Sequence, residues 1–569
     1  MTENRNAIFL ATLKKDDKKF SLSKLVNALK GSGLESPIQP FGGTDHFDIS
    51  RNGLVFTAKD PDLNPATHTK TNIYVVASES FWKADVESEY LANIVKVPIF
   101  GFEGASTSPV WDKEGKSIAF LSMREDGYEA DKNQVFIIPN WNNPGWVEHL
   151  WATEDGKGAW DRSPQSITWG QDQQIYLTAE EAGRVNIFTA STDFKKDKKP
   201  TVTVKGGAVS GVTLLKDGSL FLSSTSLIEN SLYSILPASA SHEVIADGNH
   251  YELPPGSTDA DDVSVNTYPA YRMTTYVSSN THNGSTFGLS RRQIDEIRFE
   301  GAKKKTYVHA WVVKPSFFKP DKKYPLAYLI HGGPQGAWED AWSTRWNPAV
   351  FAEQGYVVVA PNPTGSTGYG QNFTDAIQGE WGGLPYEDLV KGFEYIKKNV
   401  DYVDTNRAVA LGASYGGYMM NWIQGHELGR SFKALVTHDG VFSMTAQLAS
   451  EEIYFPFHDL KGPLWKTPET WAQWDPSRFA GNWATPHLII HSELDYRLTI
   501  NEGLAAFNVL QTRGVESQLL TFPDENHWVL KPENSLMWHE VVLDWINGHV
   551  GLEKYTEARK KAQEAAEKK

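Results

Sequence analysis

The stretch Arg407–Tyr418, R-A-V-A-L-G-A-S-Y-G-G-Y, constrains this chain more than any other. Ala408–Leu411 is a short apolar run that reads as a buried strand, and a helix-like pattern follows. Between them Gly412-Ala413-Ser414-Tyr415-Gly416 fits G-x-S-x-G. A strand can turn this sharply into a helix only if the central residue takes a strained conformation and its neighbours carry no Cβ to collide with the adjoining strand and helix. Ser414 would then stand at the strand end with its hydroxyl pushed out, a candidate nucleophile. A chance match in a Gly-rich loop is the competing reading. What decides between them is whether the chain also supplies a base, an acid and an oxyanion site.

The surroundings of that stretch predict a mostly parallel sheet. Apolar strands at Leu326–Ile330, Tyr356–Ala360, Ala408–Leu411, Lys433–Thr437, His487–Ile490 and Gln518–Phe522 alternate with helical segments. Those segments include Tyr386–Lys398, Gly417–Gln424 and Asn501–Gln511. Such alternation places helices on both faces of the sheet. Ile294–Phe299 and Val308–Val313 read as an antiparallel pair ahead of it, and the charged, Ala-rich tail 552–569 as a frayed helix or disorder.

The first half of the chain reads differently. From about residue 7 to 285 short alternating strands and turns dominate, and one motif recurs: strand, Gly- or Asp-bearing turn, strand. Its turns fall at 53, 115, 172 and 217, spaced 62, 57 and 45 residues apart. A further strand follows each hairpin, at Ile73–Val76, Val135–Ile138, Val185–Thr189 and Leu232–Ile235. An uneven period of this kind fits four-stranded blades with loop insertions, so a β-propeller of about five blade-like units is expected, with a β-sandwich as the alternative. The fold class is therefore an N-terminal β-propeller, either small or incomplete, followed by a C-terminal α/β-hydrolase domain. The domains are 1–290, 291–551 and the tail 552–569. The 69 aromatic residues of the 569 (20 Trp, 22 Tyr, 27 Phe) suit that much β-structure.

Composition excludes some functions. A net charge of −15 argues against a nucleic-acid partner, since phosphates must be met by a basic surface. With no cysteine there is no thiol nucleophile, thiolate metal site or disulfide. No apolar run is long enough to span a membrane, and the first six residues contain no signal-peptide core, so the chain as written reads as cytoplasmic. Two N-glycosylation triplets, at Asn283 and Asn372, arise readily by chance in a chain of this length.

Function in a parallel sheet gathers at the carboxyl ends of its strands. After Leu326–Ile330 comes His331-Gly332-Gly333-Pro334, where small residues let backbone N–H groups approach a ligand. The Gly333 N–H, with that of Tyr415 after the nucleophile, is the expected oxyanion hole, and the His331 side chain reads as structural. Asp495, just past His487–Ile490, is the candidate acid; Asp439, one strand earlier, is its rival and Glu493 a weaker choice. His527, in the loop after Gln518–Phe522, is the candidate base. Ser, Asp and His follow one another at intervals of 81 and 32 residues, which is the α/β-hydrolase order. The implied chemistry is acyl transfer through an acyl-enzyme, requiring no metal or cofactor.

These residues also carry a resemblance. HGGP at 331–334, P-N-P-T-G-S-T-G-Y-G at 361–370, G-A-S-Y-G-G-Y at 412–418, H-x-x-x-D-x-R at 491–497 and E-N-H at 525–527 resemble the prolyl oligopeptidase family, in its acylaminoacyl-peptidase-like branch. The stretches W-S-T-R-W-N-P (342–348) and T-F-P-D-E-N-H-W (521–528) look specifically like its fungal dipeptidyl-peptidase members. The resemblance implies a serine exopeptidase that removes dipeptides from short peptides, with the active site between propeller and hydrolase. It places Ser414, Asp495 and His527 in the triad, makes Arg497 a ligand of a substrate carbonyl, and likens Tyr454 and Phe455 to a hydrophobic S1 wall. Core packing is the other reading of those two aromatics. An acidic group must hold the substrate's free amine, and Glu180, Glu181, Glu451 and Glu452 are candidates by charge alone. The family's propellers have seven blades, and fungal members carry a secretion signal. The resemblance therefore implies a chain that starts partway in and is secreted if truncated. An acylaminoacyl peptidase or carboxylesterase on the same triad remains an alternative, as does a non-catalytic propeller binding protein. The sequence leaves the oligomeric state open.

Overall fold

The computed structural model describes residues 5–40, 42–83, 93–193, 198–238, 245–246, 275–282 and 284–567. The triplet at Asn283 begins outside them.

Four antiparallel four-stranded meanders follow one another in the first half. They comprise Phe47–Ile49, Gly53–Lys59, Thr71–Ala77 and Ile94–Lys96; Ser106–Trp111, Ile118–Ser122, Gln134–Ile138 and Glu148–His149; Pro164–Trp169, Gln174–Glu180, Val185–Ser191 and Thr201–Lys205; Ala208–Leu214, Leu220–Thr225, Leu232–Leu236 and Thr275–Ser279. A single parallel pairing, Val185 with Ala208, joins the third sheet to the fourth. The period-2 pattern explains how they stack, because successive side chains leave a strand on opposite faces. In the second sheet Phe120 packs towards Val55 and Ile73 of the first, while Ala119 and Leu121 pack towards Ile175 and Leu177 of the third. Tyr176, between those two, turns to Leu220 and Leu222 of the fourth. The first strands of consecutive sheets lie side by side. Trp111 N donates to Asp48 Oδ2 (2.8 Å), Trp169 Nε1 to Val110 O (3.1 Å) and Thr168 Oγ1 to Val212 O (3.1 Å).

The expected count of about five units is one too many among the described residues. The strand-like start at Phe9–Leu10 pairs only with Val26–Asn27, and Leu13–Asp16 only with Lys19–Leu22. Two-residue ladders and a mostly exposed hairpin bury too little to form a further four-stranded sheet.

The second half is built on one eight-stranded sheet. Its strands are β1 (Ile294–Glu300), β2 (Tyr307–Val313), β3 (Tyr324–Ile330), β4 (Val357–Asn362), β5 (Val403–Ala413), β6 (Ala434–His438), β7 (His487–Ser492) and β8 (Ser517–Phe522). The spatial order is β1-β2-β4-β3-β5-β6-β7-β8, with β1, β2 and β4 antiparallel neighbours and the remainder parallel. Helices α1 (Leu384–Asn399) and α2 (Tyr415–Gln424) cover one face, burying Leu389, Phe393 and Met419 against Leu326, Tyr328 and Ala410. Helix α4 (Pro532–Val550) covers the other, burying Trp538, Val542 and Ile546 against Leu329, Val409 and Leu411. Between them in sequence, α3 (Asn501–Thr512) packs Ala506 and Leu510 on Ile489. The unbroken apolar runs of β3 and β5 follow from burial on both faces. The tail forms a solvent-exposed helix, Tyr555–Glu567, tied to α4 by Thr556 N donating to Asp544 Oδ1 (3.0 Å). Among the described residues no helix is long and apolar enough to cross a membrane.

The sheets of the first half dock on the carboxyl edge of this second sheet. Tyr128 OH donates to Asp375 Oδ1 (2.7 Å) and stacks on His458, and Leu227 N donates to Asp340 Oδ1 (3.0 Å). Between the halves lies a cavity of about 870 Å³.

Candidate active site

Ser414 stands between the end of β5 and the start of α2 with φ 58° and ψ −119°, a conformation few non-glycine residues tolerate. The flanking glycines make it possible. A Cβ on Gly412 would come within 2.4 Å of the Gly416 backbone, and one on Gly416 within 2.2 Å of Ile330 O. Ser414 N donates to His438 O (3.0 Å), which ties the turn to β6. The Ser414 side chain faces the large cavity, whose lining also contains His527.

Asp495, buried in the loop after β7, meets His527 Nδ1 through Oδ2 at 2.5 Å. Its Oδ1 accepts the N–H groups of Arg497 (2.9 Å) and Leu498 (2.8 Å). Facing an acceptor-only carboxylate, Nδ1 carries the proton, so Nε2 is the basic nitrogen. The two loops are pinned together: Leu494 N donates to Glu525 O (3.0 Å), and buried Glu525 accepts Leu530 N (3.0 Å) and Lys531 N (2.9 Å).

The rival acid is engaged elsewhere. Asp439 accepts Ser492 N (2.8 Å), lies 3.2 Å from His438 Nε2 and 3.8 Å from His491 Nδ1. Burial pushes its pKa up, but those histidines outweigh burial and hold it below the usual carboxylate range. Glu493 is exposed. Asp439, His491 and Asp495 form the one group among the described residues whose ligand atoms could converge on a cation. Both Asp495 oxygens and Asp439 Oδ1 already accept hydrogen bonds, so this set is poorly suited to the role. His331 is held by Ser366 Oγ (2.9 Å) and by Gly332 O (2.7 Å), and burial lowers its pKa to about 4, so it sits there neutral.

A narrow slot opens beside Ser414. Gly333 and Tyr415 line it, with Trp381, Val441 and Phe455 giving it apolar walls and Glu452 and Arg497 a charged edge. The Gly332–Gly333 loop lies against the serine: a Cβ on Gly332 would stand 3.3 Å from Ser414 Cβ. Of the two aromatics read together from sequence, only Phe455 lines this slot. Tyr454 is its neighbour on a short helix, Tyr454–Asp459, so the two rings diverge; Tyr454 faces the large cavity instead.

Arg497 is the hub of the charged edge. Its guanidinium lies 5.1 Å from the Phe455 ring centroid, donates through Nη1 to Glu452 and through Nη2 to Glu129 Oε2 (3.0 Å). Tyr454 OH donates to the other Glu129 oxygen at 2.7 Å. Burial pushes the Glu452 carboxyl up despite Arg497 beside it. Glu129 comes from the 123–133 connection of the second sheet, and sequence reading missed it. An acid in an irregular loop has no periodicity to mark it. Length does not mark it either, since the matching connection of the first sheet, 60–70, is equally long. Of the acids proposed from sequence, Glu452 reaches the site. Glu180 instead accepts Gln165 Nε2 (2.8 Å), Glu181 pairs with Arg162 (2.7 Å), and neither they nor Glu451 line the slot or the cavity.

Residues 342–553 match the family model described as the prolyl oligopeptidase family. The chain is 43% identical over 555 residues to dipeptidyl-peptidase 5 of Schizosaccharomyces pombe, covering 96% of this chain and 72% of that protein. The chain belongs to the prolyl oligopeptidase family. It is a serine peptidase, which sets aside the non-catalytic reading. A probable dipeptidyl-peptidase 5 of Aspergillus clavatus is 42% identical over 565 residues, covering 97% of this chain and 72% of the relative. The fold likeness extends further. Pyrococcus horikoshii acylaminoacyl peptidase superposes with a TM-score of 0.66 at 20% identity, over 93% of this chain and 74% of the other. Porphyromonas gingivalis dipeptidyl peptidase 4 superposes with a TM-score of 0.59 at 12% identity, over 95% and 71%.

Proposed function

We propose that this member of the family is a dipeptidyl peptidase that releases dipeptides from the free N-termini of short peptides. The observation that carries the reading is the convergence of Glu129 and Glu452 on Arg497 at the edge of the Ser414 slot. Two carboxylates against one guanidinium leave a net negative charge in a partly desolvated place. A substrate α-ammonium is the complementary group, whereas an acylated N-terminus offers no charge to balance it. The relatives named dipeptidyl-peptidase 5 support the same reading.

The chemistry assigned to the site is acyl transfer. His527 Nε2 takes the Ser414 proton while Asp495 holds the ring and stabilises its cation. Ser414 Oγ attacks the carbonyl carbon, and the Gly333 and Tyr415 N–H groups stabilise the oxyanion. His527 returns the proton to the leaving amine, and water then attacks the acyl-enzyme with His527 again as base. Arg497, with donors beyond those given to Glu129 and Glu452, holds a substrate backbone carbonyl. Phe455 and Trp381 wall the P1 side chain. The four stacked sheets are blades of a β-propeller, and their position over the cavity restricts entry to short peptides.

The test is a pair of dipeptidyl substrates, identical but for N-acetylation. Preference for the free amine is expected; preference for the blocked form would transfer the chain to the acylaminoacyl-peptidase reading.

A further inference from the structure

The W-S-T-R-W-N-P segment is explained by packing except at its arginine. Trp342 stacks on Phe287, Trp346 meets Trp538 edge-on, and Asn347 Oδ1 caps the helix Pro348–Ala352 by accepting Ala349 N (3.0 Å). Ser343 Oγ accepts Arg345 N (3.1 Å) and Trp346 N (3.2 Å), so the backbone that carries Arg345 is held in place. Its guanidinium lies over the Trp528 ring, 5.3 Å from the centroid, and both residues line the cavity with Ser414 and His527.

Arg345 differs from the other arginines that meet in or near the interdomain region. Arg184 pairs with Glu296, Arg291 with Asp340, and Arg497 with Glu129 and Glu452. Among the described residues no carboxylate pairs with Arg345. Glu339, a further acid of the cavity lining, has its carboxyl pushed up to about 8 by burial beside Glu180, so it is largely protonated at neutral pH. The contact with the Trp528 ring uses the charge of the guanidinium and none of its N–H donors, which a carboxylate can receive two at a time.

The side of the cavity follows from the chemistry. His527 must protonate the departing amine, so the leaving peptide lies on the His527 side of Ser414. Trp528 follows His527 directly, and the Arg345 guanidinium lies over its ring. The Arg497 group lines that cavity too, but it also edges the slot with Gly333 and Tyr415, to which the proposed function gives the acyl part of the substrate.

We propose that Arg345 binds a carboxylate of the leaving peptide, making the enzyme selective for peptides that carry a carboxylate within one or two residues after the scissile bond. This rests on the dipeptidyl-peptidase reading. The carboxylate is either the C-terminus or an acidic side chain, and substrates separate the two. One free-amino dipeptide is extended by Ala as the acid, Ala as the amide, Glu as the amide and Gln as the amide; the acid–amide pair is repeated one residue longer. kcat/KM is measured for the wild type, R345Q and R345K.

The wild type is expected to favour the acid over the amide by about tenfold at one of the two lengths. R345Q should bring that ratio near one, and R345K should keep part of it. A preference for Glu-amide over Gln-amide that R345Q abolishes assigns the subsite to an acidic side chain. Wild-type ratios near one in every pair, with dipeptide still released, overturn the proposal and leave the dipeptidyl reading intact. So does R345Q losing both members of a pair equally. Failure to release dipeptide from any of these peptides overturns that reading and this proposal together.

Discussion

Tyr454 donates its hydroxyl to Glu129 at 2.7 Å although 325 residues separate them, and through this bond a loop of the first half becomes a wall of the Ser414 site. Glu129 also receives Arg497, so its two oxygens fasten two side chains of the second half. E129Q and E452Q each keep the shape and remove one charge. Each is expected to lower kcat/KM for free-amino dipeptidyl substrates about 10- to 100-fold, mainly through KM. Activity on an N-acetylated analogue should fall much less. Equal losses on both substrates would show that the pair shapes the slot without measuring the amine.

S414A should abolish turnover and covalent labelling by a fluorophosphonate while leaving the thermal unfolding curve within a few degrees of wild type. Among the described residues the hydroxyl has no hydrogen bond that alanine would break, and the strained backbone conformation is made possible by the glycines around it. Full activity in S414A would remove it from the mechanism.

Asp495 and Asp439 separate catalysis from packing. D495N leaves the contact with His527 but offers an amide where an acceptor-only group stood, favouring the wrong tautomer. kcat should fall about 10³- to 10⁴-fold. D439N weakens a buried group bonded to Ser492 N and paired with His438, so its effect should appear as a loss of about 1–3 kcal/mol in denaturant unfolding. If D439N costs as much kcat as D495N at unchanged stability, the assignment of the acid is wrong.

Glu502 carries a pH signature. Burial raises its carboxyl to about 8, although Phe442 N and Ser443 N donate to it at 2.8 Å. The folded state therefore keeps a proton that the unfolded chain releases near its ordinary value of 4.5. A pKa raised on folding stabilises fully below the unfolded value and is lost as pH rises through the folded one. Wild-type stability should thus decline relative to E502Q between about pH 4.5 and 8. Parallel stability curves for the two proteins across that window would contradict it.

Much of the architecture could be read from local pattern. The hairpin turns at 53, 115, 172 and 217 each fall inside an observed sheet, because alternation records which face of a strand is buried. The parallel-sheet strands fall close to their expected limits for a related reason: β3 and the 408–411 stretch of β5 are covered on both faces and had to be apolar, whereas β5 begins five residues before that run, in the mostly polar, partly exposed stretch 403–407 that no apolar pattern marks. The clearest local mark is the elbow. Gly412 and Gly416 are required by distances of 2.4 and 2.2 Å to neighbouring backbone, a steric demand that leaves its trace in sequence.

Pattern could not supply what depends on convergence. Asp439 and Asp495 both follow strand ends, and only the side-chain directions show that one meets His438 and the other His527. Tyr454 and Phe455 are adjacent, yet a short helix sends them to different cavities. Glu129 lies in a loop with no period, and its role arises only where the two halves dock. The sequence by itself determined the strands, the turns, the strained serine and the order Ser, Asp, His, because each depends on neighbours along the chain or on one buried face. Only the tertiary structure decided which charges meet around Arg497, because that rests on segments hundreds of residues apart brought together by the burial of other residues.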